Sequence, residues 1–384
     1  MSTAVLLVGL VLLVFAFTRT QEAGAPGTGG PPASADGTLS TTLVTPSASP
    51  RASRSSASSG TPTPKTTATP HARSTSADPS TPPVCDNAGA GLAIGVARGG
   101  DIQAAIDRVA ASGSGCVDLA EGSWTLSRSL RMRSGVTLNG SGASTRLQGP
   151  TSVYDYPLID SDGTHPQNNM TVENMVLDGR IPASARTTDP NAKNPYADAM
   201  GILFAAYRAN HRNILIKNVE VLNTSMGIHV KGTTGLTLDG VDVHHNGIAF
   251  WLHNVYLRRC SNVTIVRSSM NDSLVGTGLH VAGASQDITI ADSDFSGNDS
   301  SGMNIQDLPA NVTIQNSRMI GNNGDGISAV GTSLVITGNL ARNNTSAGIH
   351  TWTGSGRVDK NTATGNKSEE FDIHGNFTTN ANAD

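Results

Sequence analysis

Charge is scarce in this chain. Of its 384 residues, 26 are Lys or Arg and 30 are Asp or Glu, 15% in all, which leaves a net charge of −4. No basic field for nucleic acid is present, and nucleic acid is excluded as a partner. Aromatics are scarcer still, at 4%, and there are three cysteines, too few for a disulfide-dense scaffold. No Cys-x-x-Cys or His-Glu-x-x-His spacing occurs, so no metal ligand set is expected. What remains is small and polar: 42 glycines, many Ser, Thr and Asn, and 37% apolar residues, enough for a core. That balance suits repetitive β-structure.

The N-terminal quarter carries no core. Ala4 to Phe17 is an apolar run of 14 residues, shorter than the ~20 a spanning helix needs but within the range of a secretory segment. Residues 1–25 therefore read as a signal peptide or an N-terminal anchor, and the chain as exported to the cell surface or beyond. No cation precedes the run; the first is Arg19, which is wrong for a leader's basic start, so either the true start lies upstream or the segment is an uncleaved anchor. Residues 26–84 are almost wholly Ser, Thr, Pro, Ala and Gly, a composition that cannot bury enough surface to offset ordering entropy. They read as a disordered tether from the cell envelope, and residues 85–384 as the folded domain.

Asp101 to Ser112 reads as a short amphipathic helix, with Asp101 as N-cap and Ile102, Ala105, Ile106 and Val109 on one face. Beyond it the chain repeats. A Gly opening a short strand recurs at Gly227, Gly247, Gly278, Gly302, Gly326 and Gly348, with spacings of 20, 31, 24, 24 and 22. A preceding strand keeps step through Ile216, Leu238, Ile265, Ile290, Ile314, Ile336 and Val358. Two strands per 20–31 residues with no helix between them describe one coil of a parallel β-solenoid. Alternation points Ile228, Ile248, Leu279, Met303, Ile327, Ile349 and Phe371 inward, with Val230, Phe250, Val281, Ile305 and Ile373 two positions on. Asn246, Asn298, Asn322, Asn344 and Asn366 fall in one turn column, where stacked amides can bond from coil to coil. The Asn-x-Thr triplets at Asn262 and Asn311 are by-products of that repeat, not glycan sites.

Gly100-Asp-Ile-Gln-Ala-Ala-Ile-Asp107, Val117-Asp-Leu-Ala-Glu-Gly-Ser-Trp124, Ser134-Gly-Val-Thr-Leu-Asn-Gly140 and the Asn-Val-Thr-Ile repeats resemble the right-handed parallel β-helix proteins of the pectin-lyase-like superfamily over residues 95–375. The resemblance implies an all-β, single-stranded right-handed solenoid whose N-terminal end is capped by the short helix. It also implies an exported protein that acts on or binds polysaccharide. The signature motifs of polygalacturonases, alginate epimerases and calcium pectate lyases are absent, so no catalytic residue carries over from the family.

Candidate chemistry therefore rests on spacing. The outward positions two and four after each Gly give His229 and Lys231, Ala249 and Trp251, His280 and Ala282, Asn304 and Gln306, Ser328 and Val330, His350 and Trp352, and Asp372 with His374. One coil carries an insertion, Trp251 to Cys260, that should overhang this face with His253, Tyr256, Arg258 and Arg259. His229, Lys231, His280 and Tyr256 are the candidate acids and bases, with Arg258 and Arg259 to hold a substrate carboxylate. Trp251, His253, Asn304, Gln306, Asp307, His350 and Trp352 are the candidate sugar contacts.

These residue types suit β-elimination on a uronate-containing chain, which needs a base and a cation beside the developing enolate. A hydrolase needs two carboxylates ~5–9.5 Å apart. Asp307 and Asp372 look isolated, and Asp198, Asp272 and Asp325 fall in turns. The expected function is a polysaccharide lyase, with a glycoside hydrolase, a uronate epimerase and a non-catalytic glycan binder as alternatives. The expected partner is an acidic polysaccharide and the expected state a monomer. No cofactor is expected; calcium is left unsupported by the few outward acids, although Asp272 and Asp307 could converge. Cys85 is placed to pair with Cys116 across the N-terminal cap, leaving Cys260 free.

Overall fold

The structure, a computed structural model, describes residues 91–207 and 210–384. The leader or anchor, the tether and Cys85 lie outside the described residues. Cys116 is disulfide-bonded and Cys260 is a buried free thiol.

The described chain is a parallel β-solenoid of about 12 turns. It opens with strand Leu92–Val96 and helix Ile102–Ala111, whose apolar face, Ile102, Ala105, Ile106 and Val109, is buried. Asp101 caps it by accepting the Ala104 N–H at 3.0 Å. From there every strand pairs in parallel with its counterpart one turn on. Each turn has three short strands, not two. One column contains Gly115–Leu119, Val136–Asn139 and Gln286–Ala291. A second contains Asp242–His244 and Ser269–Asn271. The third runs from Leu130–Met132 through Ile159–Ser161, Ile202–Ala205, the start of Ile228–Asp239, the start of Val255–Val266, Leu279–Ala282, Met303–Ile305, Ile327–Thr337 and Ile349–Asp359 to Phe371–Ile373. The second column is hidden in the sequence because its strands are only three residues long and carry one inward side chain each.

The corners are set by local backbone chemistry. Asn174, Asn218, Arg267, Asp292, Asn316 and Lys360 adopt positive φ at successive turns, joined by Gly240 and Gly338. Left-handed geometry costs an ordinary residue about 1–2 kcal/mol, and Asn, Asp and Gly tolerate it best. Asn262 and Asn311 occupy such corners too, at φ 53° and 54°, which accounts for the recurrent Asn-x-Thr triplets. Inside, the apolar ladders form as alternation requires: Ile216, Leu238, Ile265, Ile290, Ile314, Ile336 and Val358 are all fully buried, as are Ile228, Leu279, Ile327 and Ile349. Phe371 and Ile373, on the last rung, are only half-buried.

The asparagine column is a continuous amide ladder. Asn246 donates to Asn254 at 3.2 Å, Asn254 to Asn298 at 3.3 Å, Asn298 to Asn322 at 3.0 Å, Asn322 to Asn344 at 2.9 Å and Asn344 to Asn366 at 2.8 Å. Asn254, absent from the expected column, fills the slot between Asn246 and Asn298. Its place corrects the register of this coil. The strand stacked next on Ile228–Asp239 is Val255–Val266, with Ile228 against Val255 and Val255 against Leu279; Ile248 to Trp251 form a turn before it. Phe250, expected inward, is therefore 49% exposed, and Ala249 and Trp251 are not a strand pair. A second insertion, residues 179–201, carries no repeat signal in the sequence. It meets the first where the Thr187 N–H donates to the Ile248 carbonyl at 2.8 Å.

Candidate functional site

The corrected register brings the predicted groups closer together than the sequence suggested. Leu203, His229, Tyr256, His280, Asn304, Ser328, His350 and Asp372 stand directly above one another on the outward side of the third column. Lys231 and Arg258 are neighbours in the adjacent outward position. Tyr256 and Arg258 are thus strand residues at the heart of the face, not parts of an overhanging loop. They separate His229 from His280 by one rung.

The rings pack. His229 lies 4.9 Å from Tyr256, Tyr256 lies 5.0 Å edge-on to His280, and His253 lies 4.6 Å from His280. His253, expected to contact substrate, is buried; its Nδ1 accepts the Thr277 N–H at 3.1 Å and meets the Thr277 hydroxyl at 3.0 Å. Its approach from the turn places it behind His280, where it supports that ring. Arg259 also departs from the expectation. It sits at a corner with φ 53° and donates to the Ala206 carbonyl at 3.0 Å, so it fixes the backbone beside the face. Arg258 stays exposed and crosses Gly283, whose φ of +68° and whose Cβ position, 2.7 Å from the Arg258 Cγ, both require glycine.

Burial sets the electrostatics. Desolvation, followed by the positive charges of Lys231 and Arg258, pushes His229 down to about 4. Desolvation also takes His280 down to about 4, against the opposing pull of Asp307 and a hydrogen bond that the ring donates to the Gln306 amide oxygen. His253 is lowered by burial and by its two histidine neighbours. All three imidazoles are neutral at neutral pH. Burial raises the Tyr256 hydroxyl, partly countered by Arg258. It lowers the Lys231 ammonium, assisted by Arg259 and Arg258, and that ammonium sits 4.7 Å over the Tyr207 ring. Asp307 accepts the Gly283 N–H at 2.8 Å and is the carboxylate whose charge reaches both Tyr256 and His280.

Three histidines differ in how their ring nitrogens are met. His211 is fully buried, yet Nε2 meets the Ser161 hydroxyl at 2.9 Å and Nδ1 accepts the Gln167 N–H at 2.9 Å. His229 has both ring nitrogens buried with no protein partner, and His280 has Nδ1 so. An unmatched buried polar atom costs about 1–3 kcal/mol, a cost that clusters at sites where something else is to be bound.

Other predicted residues lie further off. Trp251 is 66% exposed on the Gly247 turn, edge-on to Phe250 at 4.7 Å. Asn304 follows His280 in the column, while His350 and Trp352 lie beyond Ser328, outside the packed cluster. Asp372 is not isolated, since it faces both His350 and His374. Sequence reasoning missed Tyr207, which has no repeat position, and Asp160, which precedes Leu203 in the same column in coils too irregular for the repeat to register. Asp160 pairs with Arg131 at 3.4 Å.

Residues 204–378 match the family model described as the right handed beta helix region. No curated protein matches the sequence. Among solved structures, the A-module of a mannuronan C-5 epimerase from Azotobacter vinelandii is similar with a TM-score of 0.52 at 18% identity, covering 73% of this chain and 90% of that one. ORF18 of Geobacillus virus E2 gives 0.56 at 14% identity over 73% of this chain and 56% of its own. A DFA-IIIase from Arthrobacter chlorophenolicus A6 gives 0.51 at 11% identity over 74% and 86%. At such identities the likeness is one of fold. The described chain has the right-handed parallel β-helix fold.

Proposed function

We propose that the protein cleaves uronate-containing polysaccharide by β-elimination on the face built around Tyr256 and His280. The observation that carries this reading is the neutral His280 ring 5.0 Å from a protonated Tyr256, with Lys231 and Arg258 in the next outward position. The two cations meet the uronate carboxylate and stabilise the charge that spreads into it when the proton on the adjacent carbon is removed. A neutral imidazole is the form that takes that proton. The electron pair left behind forms the carbon–carbon double bond, the glycosidic carbon–oxygen bond breaks, and the Tyr256 hydroxyl protonates the departing oxygen. Gln306 orients His280, and Trp251 with Asn304 offers a stacking ring and an amide along the same face. The structural neighbours named above include a mannuronan C-5 epimerase, which shares the fold.

The test is a panel of uronate polymers incubated with the purified chain. A lyase yields shortened chains bearing an ultraviolet-absorbing unsaturated end. Reducing ends without that absorbance would replace the reading with hydrolysis, and solvent deuterium entering an unshortened polymer would replace it with epimerisation. Retention of polymer with neither change would make the protein a binder.

A further inference from the structure

The outward column does not end at the central cluster. Beyond Ser328 it continues with His350 and Asp372 in register, and His374 follows two residues after Asp372. His350 Nε2 lies 3.3 Å from Asp372 Oδ2, and His374 Nε2 lies 2.7 Å from Asp372 Oδ1. One ligand atom from each of the three falls within 4.8 Å of the others. Behind His350, Asp325 Oδ2 stands 3.4 Å from Nδ1. The other Asp325 oxygen is fixed by the Ala347 N–H at 3.0 Å, and Trp352 covers the imidazole at 4.2 Å between centroids.

A carboxylate anchored on the Nδ1 side of His350 leaves Nε2 on the side of Asp372 and His374, and a carboxylate in that position is how metal-ligating histidines are commonly oriented. We propose that His350 Nε2, His374 Nε2 and the Asp372 carboxylate bind a zinc-type divalent cation, with Asp325 orienting His350. Two imidazoles and a carboxylate suit a borderline cation with an open fourth position; calcium wants six to eight oxygens. Bonds of about 2.0–2.1 Å set ligand atoms roughly 3.3–3.5 Å apart in a tetrahedron. The His350–Asp372 pair already has that separation. His374, whose side chain is 64% exposed, reaches it by a small outward swing. The ion would join strand Ile349–Asp359 to Phe371–Ile373, whose apolar side chains are only half-buried.

Titration calorimetry with zinc sulfate alone, on the full chain after chelator treatment and dialysis, tests the site. One zinc per chain is expected. His374→Ala and Asp372→Asn should each weaken it at least tenfold with unchanged circular dichroism. Asp325→Asn, which leaves the three ligands in place, should weaken it about 10- to 100-fold. Zinc should raise the melting temperature of the native chain and not that of His374→Ala. Absence of stoichiometric binding would overturn the proposal, as would equal affinity in native and His374→Ala protein, which would put the ion elsewhere. If Asp372→Asn fails to fold, the exposed His374→Ala decides.

Discussion

The central and C-terminal clusters occupy the same outward column of the same solenoid, and both are built on histidine, yet their chemistry diverges. Around Tyr256 the rings are stacked on one another and flanked by Lys231 and Arg258. No carboxylate among the described residues is hydrogen-bonded to the His229 or His280 nitrogens, and burial, which at His280 outweighs the pull of Asp307, keeps the pKa of both rings low. Around His350 each ring nitrogen faces an oxygen of Asp325 or Asp372. The scaffold fixes where a side chain stands; the rungs above and below decide whether it acts as a base or as a ligand. The proposed lyase site and the proposed cation site both rest on that contrast.

The largest effect that would sharpen it is on turnover. Arg258→Ala should lower kcat/KM by about 10²–10³, the usual loss on removing a group that meets developing transition-state charge, while chelator treatment should leave the native rate within about twofold. Steady-state assays on the polymer cleaved in the panel measure both. A rate abolished by chelator would erase the distinction between the clusters and move the chemistry to a metal.

Acid stability separates the clusters next. His229 and His280 sit near 4 in the fold against about 6.5 when unfolded. Above 6.5 neither state binds the proton. As the pH falls from 6.5 towards 4, only the unfolded chain takes it up, so stability drops; below 4 both states are protonated and the loss is complete. The full loss is about 3 kcal/mol for each ring, and His253 acts in the same direction. Urea denaturation at pH 7 and pH 4.5 should show the native chain losing several kcal/mol, and His229→Gln with His280→Gln losing much less. An unchanged pH dependence in the double variant would show that these rings are not held neutral by their burial.

How much of this could be read from the sequence follows from the period of each feature. The apolar ladders, the asparagine column and the helix cap obey fixed spacings, and they stand where those spacings put them. The coil containing Gly247 broke the period. Gly247 has the turn glycine and Ile248 the apolar neighbour, so the spacing assigned Ala249 and Trp251 to a strand that begins only at Val255. The cue lay in Val255-Tyr-Leu-Arg258, whose alternation matches Ile228-His-Val-Lys231 better than Ile248-Ala-Phe-Trp251 does. His229, Tyr256, His280 and Asn304 share one outward column despite the slip. What spacing could not supply was the environment: His253 buried behind His280, Arg259 turned to the Ala206 carbonyl, and Asp372 set between two histidines.

The smallest effect concerns the two exposed tryptophans, one in each region. Trp352 is the extra residue where the register between Ile327–Thr337 and Ile349–Asp359 shifts, and such a bulge re-aims its side chain. Its indole lies on His350 and donates to the Ser328 hydroxyl at 3.0 Å, so Trp352→Ala should cost about 1–2 kcal/mol by losing a hydrogen bond and a ring contact. Trp251 has no such tether; its ring packs on Phe250, itself exposed. Trp251→Ala should change stability by less than about 0.5 kcal/mol and weaken retention by acidic polysaccharide severalfold in affinity electrophoresis. On the proposed function, this exposed ring is the one that would stack on a sugar. Undiminished retention in Trp251→Ala would withdraw the Gly247 turn from the binding face, and the central cluster would have to hold its substrate by charge alone.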